Sequence, residues 1–241
     1  MDAQTLAKQA AGEAAAALAT DGMRLGLGTG STTAFAIAAV GRRVRDDGLR
    51  VAGVPTSFDA ERLARRHGVP LLTLDDLGLD ALAPGLPALD LAIDGADEVD
   101  PHLNLVKGRG AAHVREKVVA SLAARFVVLA DDSKRVARLG TTVPVPVEVL
   151  PFAAAAVARS LRGLGAVPTL RTGAGKDGPV VTDQGLWILD AAFADGIDDA
   201  RALADAVDRL PGVLGHGLFL GLATDLLVGR TDGTADHVRA M

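Results

Sequence analysis

The stretch MRLGLGTGSTT, residues 23–33, decides the fold. Met23–Leu27 is a short apolar run that enters the loop Gly28-Thr29-Gly30-Ser31-Thr32. Phe35, Ala36, Ala39, Val40 and Val44 then recur at helical spacing. A strand that turns through glycines into a helix is the opening unit of a parallel α/β sheet. It also places backbone N–H groups and the positive end of a helix dipole at one spot, with hydroxyls beside them, which suits a phosphate monoester. Gly26-x-Gly28-x-x-Ser31 approaches a dinucleotide fingerprint, but the third glycine is missing and Val54-Pro55-Thr56 offers no acid for a ribose hydroxyl. No lysine follows in Walker spacing. The plainer alternative, a tight turn whose hydroxyls cap a helix, stands level with the phosphate reading on this loop alone.

Outward from that loop the alternation continues. Arg50–Val54 reads as a strand, Ser57 as the N-cap of a helix over Phe58–His67, and Val69–Leu74 as a shorter strand. Pro84, Gly85 and Pro87 mark a loop. Leu89–Ile93 is a buried strand ending at Asp94; a helix begins near Ala111, and Arg125–Ala130 is again a strand. On the other side, MDAQTLAKQAAGEAAAALAT (1–20) reads as an alanine-rich amphipathic helix, without the basic-then-apolar order of a signal peptide. The pattern implies a Rossmann-like, mainly parallel sheet with helices on both faces.

After about Lys134 the rhythm changes. Strands are expected at Val145–Val149, Val167–Leu170, Leu186–Leu189 and Val213–Leu218, with helices over Phe152–Leu164 and Asp198–Leu210. That βαββαβ order is the ferredoxin-like arrangement. Thr224–Met241 reads as a strand and extension returning to the first domain. The expected organisation is an α/β catalytic domain from 1–133 and 213–241, with a smaller inserted α+β domain, a lid or interface, over 134–212.

Composition narrows the function. The chain has 241 residues, a formal net charge of −5 and no cysteine. Disulfides, thiolate nucleophiles and Cys-ligated metals are excluded, and a cytoplasmic setting fits. The acidic balance argues against a nucleic-acid or anionic-membrane partner, and no apolar run reaches the roughly 18 residues of a membrane span. Lys8, Lys107, Lys117, Lys134 and Lys176 are the only lysines among 25 basic residues. Where charge alone is needed this chain uses arginine, so a retained lysine hints at a need for a compact ammonium.

Three further segments carry chemistry. LDLAIDGADEVD (89–100) runs a buried strand into Asp94, Gly95, Ala96, Asp97, Glu98 and Asp100. Clustered carboxylates at a strand C-terminus lie where open α/β sheets bind ligands, and their crowding suits proton transfer. A divalent-metal site or a solvated acidic turn are the alternatives. Lys107-Gly108-Arg109-Gly110 opens the next helix, where Lys107 and the helix amides suit an oxyanion, and Glu116 lies near the second turn. The plainer alternative for Glu116 is a surface glutamate paired with Arg or Lys. Lys134 closes Ala130-Asp131-Asp132-Ser133-Lys134 at another strand end; the plainer alternative is a loop lysine at the domain junction. No metal-ligand spacing links His67, His102, His113, His216 and His237, which are read as structural or solvated.

Together these segments resemble the ribose-5-phosphate isomerases of the A type. The matching stretches are GTGST (28–32), DGADE (94–98), KGRG with REK (107–110 and 115–117) and ADDSK (130–134). VPVEVLP (145–151), VVTDQG (180–185), LPGV (210–213) and GRTDG (229–233) follow in order, so the likeness covers nearly the whole chain. Arg109 stands where the family often has Gly, and Asp132 where it often has Ala.

The resemblance implies interconversion of D-ribose 5-phosphate and D-ribulose 5-phosphate through a cis-enediolate, in the non-oxidative branch of the pentose phosphate pathway, with no cofactor and no metal. It implies that Glu116 is the base between C1 and C2, that Asp94 assists ring opening, and that Lys107 stabilises the oxyanion. Thr29, Gly30, Ser31, Thr32 and Lys134 match substrate and phosphate positions. Gly95, Ala96, Asp97, Gly108, Arg109 and Gly110 match the rest of the substrate loops. A homodimer or homotetramer is expected by the same likeness. A sugar-phosphate-sensing regulator is the rival from another class, but it needs a DNA-binding segment, and the N-terminal helix leads straight into a strand. A lactonase or amino-sugar isomerase-deaminase would share the sheet without this acidic loop; product analysis separates them.

Overall fold

The computed structural model describes residues 2–78, 85–173, 175 and 177–240. Pro84 and Lys176, both singled out above, lie outside them. The helices are α1 (Ala3–Ala16), α2 (Thr33–Asp46), α3 (Phe58–His67), α4 (His113–Ser121), α5 (Ala154–Gly163) and α6 (Ala200–Asp208). The strands run β1 (Arg24–Leu27), β2 (Ala52–Pro55), β3 (Leu91–Gly95), β4 (Glu98–Val99), β5 (Leu105–Val106), β6 (Phe126–Asp131) and β7 (Val145–Val149). They continue with β8 (Val167–Leu170), β9 (Trp187–Ala192), β10 (Val213–His216), β11 (Leu218–Phe219), β12 (Asp225–Gly229) and β13 (Ala235–Arg239). The chain divides into two compact units, one of Met1–Ala96, Arg115–Arg135 and Leu222–Met241, the other of Asp97–Val114 and Val136–Gly221.

The first unit is built on a six-stranded sheet in the order β13-β12-β6-β3-β1-β2. All neighbours are parallel except β13, which returns antiparallel along β12. Strands buried on both faces read as continuous apolar runs, and FVVLA of β6 is one. The alanine content of α1 has a packing reason. Ala7, Ala11, Ala15 and Ala16 are buried, and Gly229 of β12 comes so close that a Cβ there would collide with the Ala7 carbonyl oxygen. Larger side chains would hold that helix off the sheet. Ser57 caps α3 as expected, its Oγ accepting the Ala60 N–H at 3.0 Å, and Gly68 in the left-handed region ends the helix.

Two strand expectations shift. Val69–Leu74 is no strand: Leu71 makes a single parallel bridge to Gly53, beside Pro70, which has no N–H for a ladder. The strand expected over Leu89–Ile93 is β3, Leu91–Gly95, so Asp94 sits inside the ladder opposite Val128.

The second unit contains a four-stranded antiparallel sheet in the order β10-β7-β9-β8 with α5 and α6 between its strands in sequence, the βαββαβ topology. Its core gathers Val147, Val149, Val157, Leu161, Leu189, Leu203 and Val207. A three-stranded sheet, β11-β5-β4, also belongs to it, built of two-residue strands that carry no period in the sequence. The single strand expected over Val213–Leu218 is two, β10 and β11, broken at Gly217. That N–H donates to Pro146 O at 2.7 Å and its carbonyl accepts the Lys107 N–H at 2.8 Å. A Cβ at Gly217 would lie 2.1 Å from Lys107 O, so the strand changes sheets where only glycine fits. These pairings are why residues 97–114 group with the second unit, and why that unit runs to 221 rather than 212.

Candidate active site

In the first unit, chain reversal decides where the ligand-binding edge lies. β2 and β3 pair on opposite sides of β1, so the strand order reverses between β1 and β3, where open parallel sheets bind ligands at their C-terminal edge. The Gly28–Thr32 loop follows β1, Asp94 is the penultimate residue of β3, and Thr56 and Ser57 follow β2. All are drawn to that edge.

Asp94 is 3% exposed. Its Oδ1 accepts the N–H of Gly95 at 2.7 Å and of Thr29 at 3.1 Å, with the Thr33 hydroxyl at 3.5 Å. Gly28 makes this possible, since a Cβ there would stand 2.2 Å from Asp94 Cγ. Thr29 Oγ1 donates to Ser57 Oγ at 2.7 Å and shares a 2.8 Å hydrogen bond with Thr56 Oγ1. Thr56 and Ser57 thus extend the hydroxyl cluster. By sequence Ser57 stands out only as a cap; the signal for its second part is the Thr56-Ser57 pair at the end of the neighbouring strand.

Thr32 is the N-cap residue of α2, yet its side chain makes no capping hydrogen bond. Gly30 and Ser31 are exposed, and Gly30 adopts φ +121°. The Thr32 hydroxyl therefore does not follow the plain helix-capping alternative. Glu116, on α4, is 5% exposed, which sets it apart from a solvated surface glutamate. Its neighbour Arg115 stacks over the Phe58 ring at 4.6 Å. Lys134 is half-buried at the end of a 3-10 turn after β6, which Asp131 caps by accepting the Ser133 N–H at 2.9 Å. Asp132, unusual by resemblance, is paired with Arg230 just beyond β12.

In the second unit the remaining carboxylates do not gather. Asp97 Oδ2 accepts the Arg109 N–H at 2.9 Å. Glu98 is fully buried and accepts the N–H groups of Gly140 (2.5 Å), Thr142 (2.5 Å) and Val143 (3.0 Å) and the Thr142 hydroxyl (2.7 Å). Asp100 accepts the N–H groups of His102 and Asn104, both at 2.8 Å. The acidic run is thus no single proton-transfer cluster: Asp97, Glu98 and Asp100 each hold a piece of backbone, because alternate residues of β4 and its turns face different segments.

Lys107 is 3% exposed, with its Nζ 5.5 Å from the centroid of Phe219. Gly108 has φ +107° and no room for a Cβ, because the buried His113 ring stands 2.8 Å from where it would be. Arg109 and Gly110 are exposed. Arg171, which nothing in the local sequence flags, reaches this loop: its Nη1 donates to Gly108 O at 2.9 Å and Arg109 O at 3.0 Å. Among the described residues no three His, Asp or Glu side chains gather as metal ligands, and no helix is long and apolar enough to cross a membrane.

Fold and site define an α/β enzyme with a hydroxyl-rich βα loop and a buried carboxylate at the C-terminal edge of its parallel sheet. The model of ribose 5-phosphate isomerase A (phosphoriboisomerase A) matches residues 52–233. The chain is 54% identical over 239 residues to ribose-5-phosphate isomerase A of Thermosynechococcus vestitus, covering 99% of this chain and 97% of that one. It is 53% identical over 227 residues to the Haloarcula marismortui protein of the same name, covering 94% and 93%. Among solved structures, ribose 5-phosphate isomerase A of Methanocaldococcus jannaschii superposes with TM-score 0.88 at 41% identity, over 97% of this chain and 98% of that one. A D-ribose-5-phosphate isomerase in complex with phospho-erythronic acid gives 0.89 at 41% identity, over 99% and 100%. The chain belongs to the ribose 5-phosphate isomerase A family.

Proposed function

We propose that this isomerase interconverts D-ribose 5-phosphate and D-ribulose 5-phosphate through a cis-enediolate. The observation that carries the reading is the end-to-end likeness to a D-ribose-5-phosphate isomerase that binds phospho-erythronic acid. A carboxylate beside a carbinol presents the planar, anionic pair of oxygens that an enediolate presents.

In this reading Thr29–Thr32 and Lys134 grip the phosphate and orient the sugar, so that remote binding energy serves the reacting carbons. Asp94, held by the N–H groups of Thr29 and Gly95, takes the hydroxyl proton as the ring opens. Glu116 removes the proton from C2 and returns it to C1, worth about 10²–10⁴-fold. Lys107 and the amides that open α4 stabilise the oxyanion, adding roughly 3–4 kcal/mol. Gly95, Ala96, Asp97, Gly108, Arg109 and Gly110 shape the substrate loops; the Arg109 N–H serves Asp97, which supports a positioning part for that pair. The reaction needs no cofactor, since the electrons lost at C2 are gained at C1 of the same molecule. A homodimer or homotetramer in the cytoplasm, where charged sugar phosphates are retained, goes with this reading.

The test is incubation with ribose 5-phosphate in EDTA, with no added cofactor, following ketose formation beside Glu116→Gln. Ketose is expected from the wild type, with turnover in the variant lower by at least about 10²-fold and KM nearly unchanged. A folded wild type that forms no ketose rejects the activity; an undiminished variant removes Glu116 from it.

A further inference from the structure

The loop Lys107–Gly110 is held in one conformation by groups distant in sequence. Arg171 follows β8, and its backbone continues the β8–β9 ladder, the N–H donating to Ile188 O at 2.9 Å. Its side chain is 15% exposed and faces Asp190 of β9, itself 18% exposed. Nε donates to Asp190 Oδ2 at 2.8 Å and Nη2 to Oδ1, so the carboxylate grips one edge of the guanidinium in the two-pronged geometry that arginine and carboxylate share. The remaining nitrogen, Nη1, donates to the carbonyls of both Gly108 and Arg109. One planar cation therefore fixes two consecutive peptide groups.

The consequence follows from peptide geometry. In a trans peptide the N–H points opposite to the C=O. Anchoring Gly108 O aims the Arg109 N–H away from Arg171, where Asp97 Oδ2 accepts it. Anchoring Arg109 O likewise aims the Gly110 N–H away from Arg171. Without the clamp, Gly108 and Gly110 would leave this loop several conformations. Gly108 adopts φ +107°, open to glycine, while Ala111 is held at φ +58°, a costly conformation for a residue with a Cβ that persists only where its surroundings over-determine it.

We propose that Arg171, braced by Asp190, is a positioning residue of the isomerase: by fixing the carbonyls of Gly108 and Arg109 it sets the Lys107–Gly110 loop, and with it the oxyanion donors. This rests on the reading of that loop as part of the active site. Lysine cannot replace Arg171, because one ammonium on a flexible stem cannot hold a carboxylate edge-on and two carbonyls together.

The experiment measures kcat and KM for ribose 5-phosphate, and Tm, in the wild type, Arg171→Ala, Arg171→Lys and Asp190→Asn, with and without added guanidinium ion. A misplacement of about 1 Å costs up to roughly 10²-fold. The expected result is kcat lower by about 10–100-fold in Arg171→Ala, little recovered by Arg171→Lys, with KM within about threefold. Partial rescue of kcat by guanidinium is expected in Arg171→Ala; a merely structural role would lower Tm and leave kcat per folded molecule unchanged. Wild-type kcat in folded Arg171→Ala overturns the proposal; should that variant fail to fold, wild-type kcat in both Arg171→Lys and Asp190→Asn overturns it. An inactive wild type would instead strike the functional reading itself, which keeps the two failures apart.

Discussion

The backbone N–H of Thr29 donates to Asp94 Oδ1 at 3.1 Å, joining residues 65 apart in sequence. This bond welds the loop after β1 to the end of β3, the two strands between which the sheet reverses its order. The proposed phosphate loop and the proposed ring-opening acid are thus one structural piece, and disturbing either moves the other. Gly28 is the joint, because only a residue without a Cβ lets the carboxylate come this close.

Gly28→Ala is therefore expected to lower kcat by about 10²-fold while destabilising the protein by about 1–3 kcal/mol, the usual cost of overpacking. Steady-state kinetics beside a urea unfolding curve check it. Wild-type kcat would mean that Asp94 can shift without consequence.

Thr32→Ala separates binding from capping. Its hydroxyl caps nothing in α2, so stability should change by only a few tenths of a kcal/mol. Loss of one hydrogen bond to the phosphate should raise KM about 3–10-fold with kcat retained. A drop in Tm with unchanged KM would return this hydroxyl to a structural part.

Glu98→Gln distinguishes a scaffold carboxylate from a reacting one. Glu98 accepts three backbone N–H groups and one hydroxyl, and glutamine would turn an amide N–H₂ toward some of those donors. The expected loss is about 2–4 kcal/mol in stability with kcat per folded molecule within about threefold. Glu116→Gln should do the reverse, so a single denaturation and activity series on both variants decides.

Asp225 is expected to carry much of the acid response. The Arg125 guanidinium, helped by the Thr224 hydroxyl and the His237 ring, holds its carboxyl well below the ordinary carboxylate range, against the opposing effect of burial. A carboxyl whose folded value is depressed contributes stability that is complete above its unfolded value, about 3.9, and is lost as pH falls through the folded one. The wild type should lose unfolding free energy steeply below about pH 4. Asp225→Asn should be weaker by about 2–4 kcal/mol at pH 7 and flatter below pH 4. Urea unfolding at pH 7, 4 and 3 reads the slopes; equal slopes would show that another carboxylate carries the acid response.

What the sequence by itself determined is what lies within a few turns of the chain. Hydrophobic period told the strands of the first unit from its helices, glycines marked the loops after β1 and before α4, and the order βαββαβ was legible from element sequence alone. Asp94, Lys107 and Lys134 stand out as charged residues next to glycine or at strand ends, and Glu116 as the acid of the helix that the Lys107–Gly110 loop opens. The tertiary structure alone decided which neighbours in sequence share a task. Asp94 and Glu98 are four residues apart, yet one is fixed to the Gly28 loop and the other holds Gly140, 42 residues away. β11, β5 and β4 are too short to show a period, and form because Gly217 allows a close crossing that no local rule predicts. Arg171 reads as one more arginine until folding brings it to Gly108, 63 residues distant. Propensity and periodicity act through adjacent residues; hydrogen-bond partners and close approaches are set by long-range packing, which the sequence encodes only as a whole.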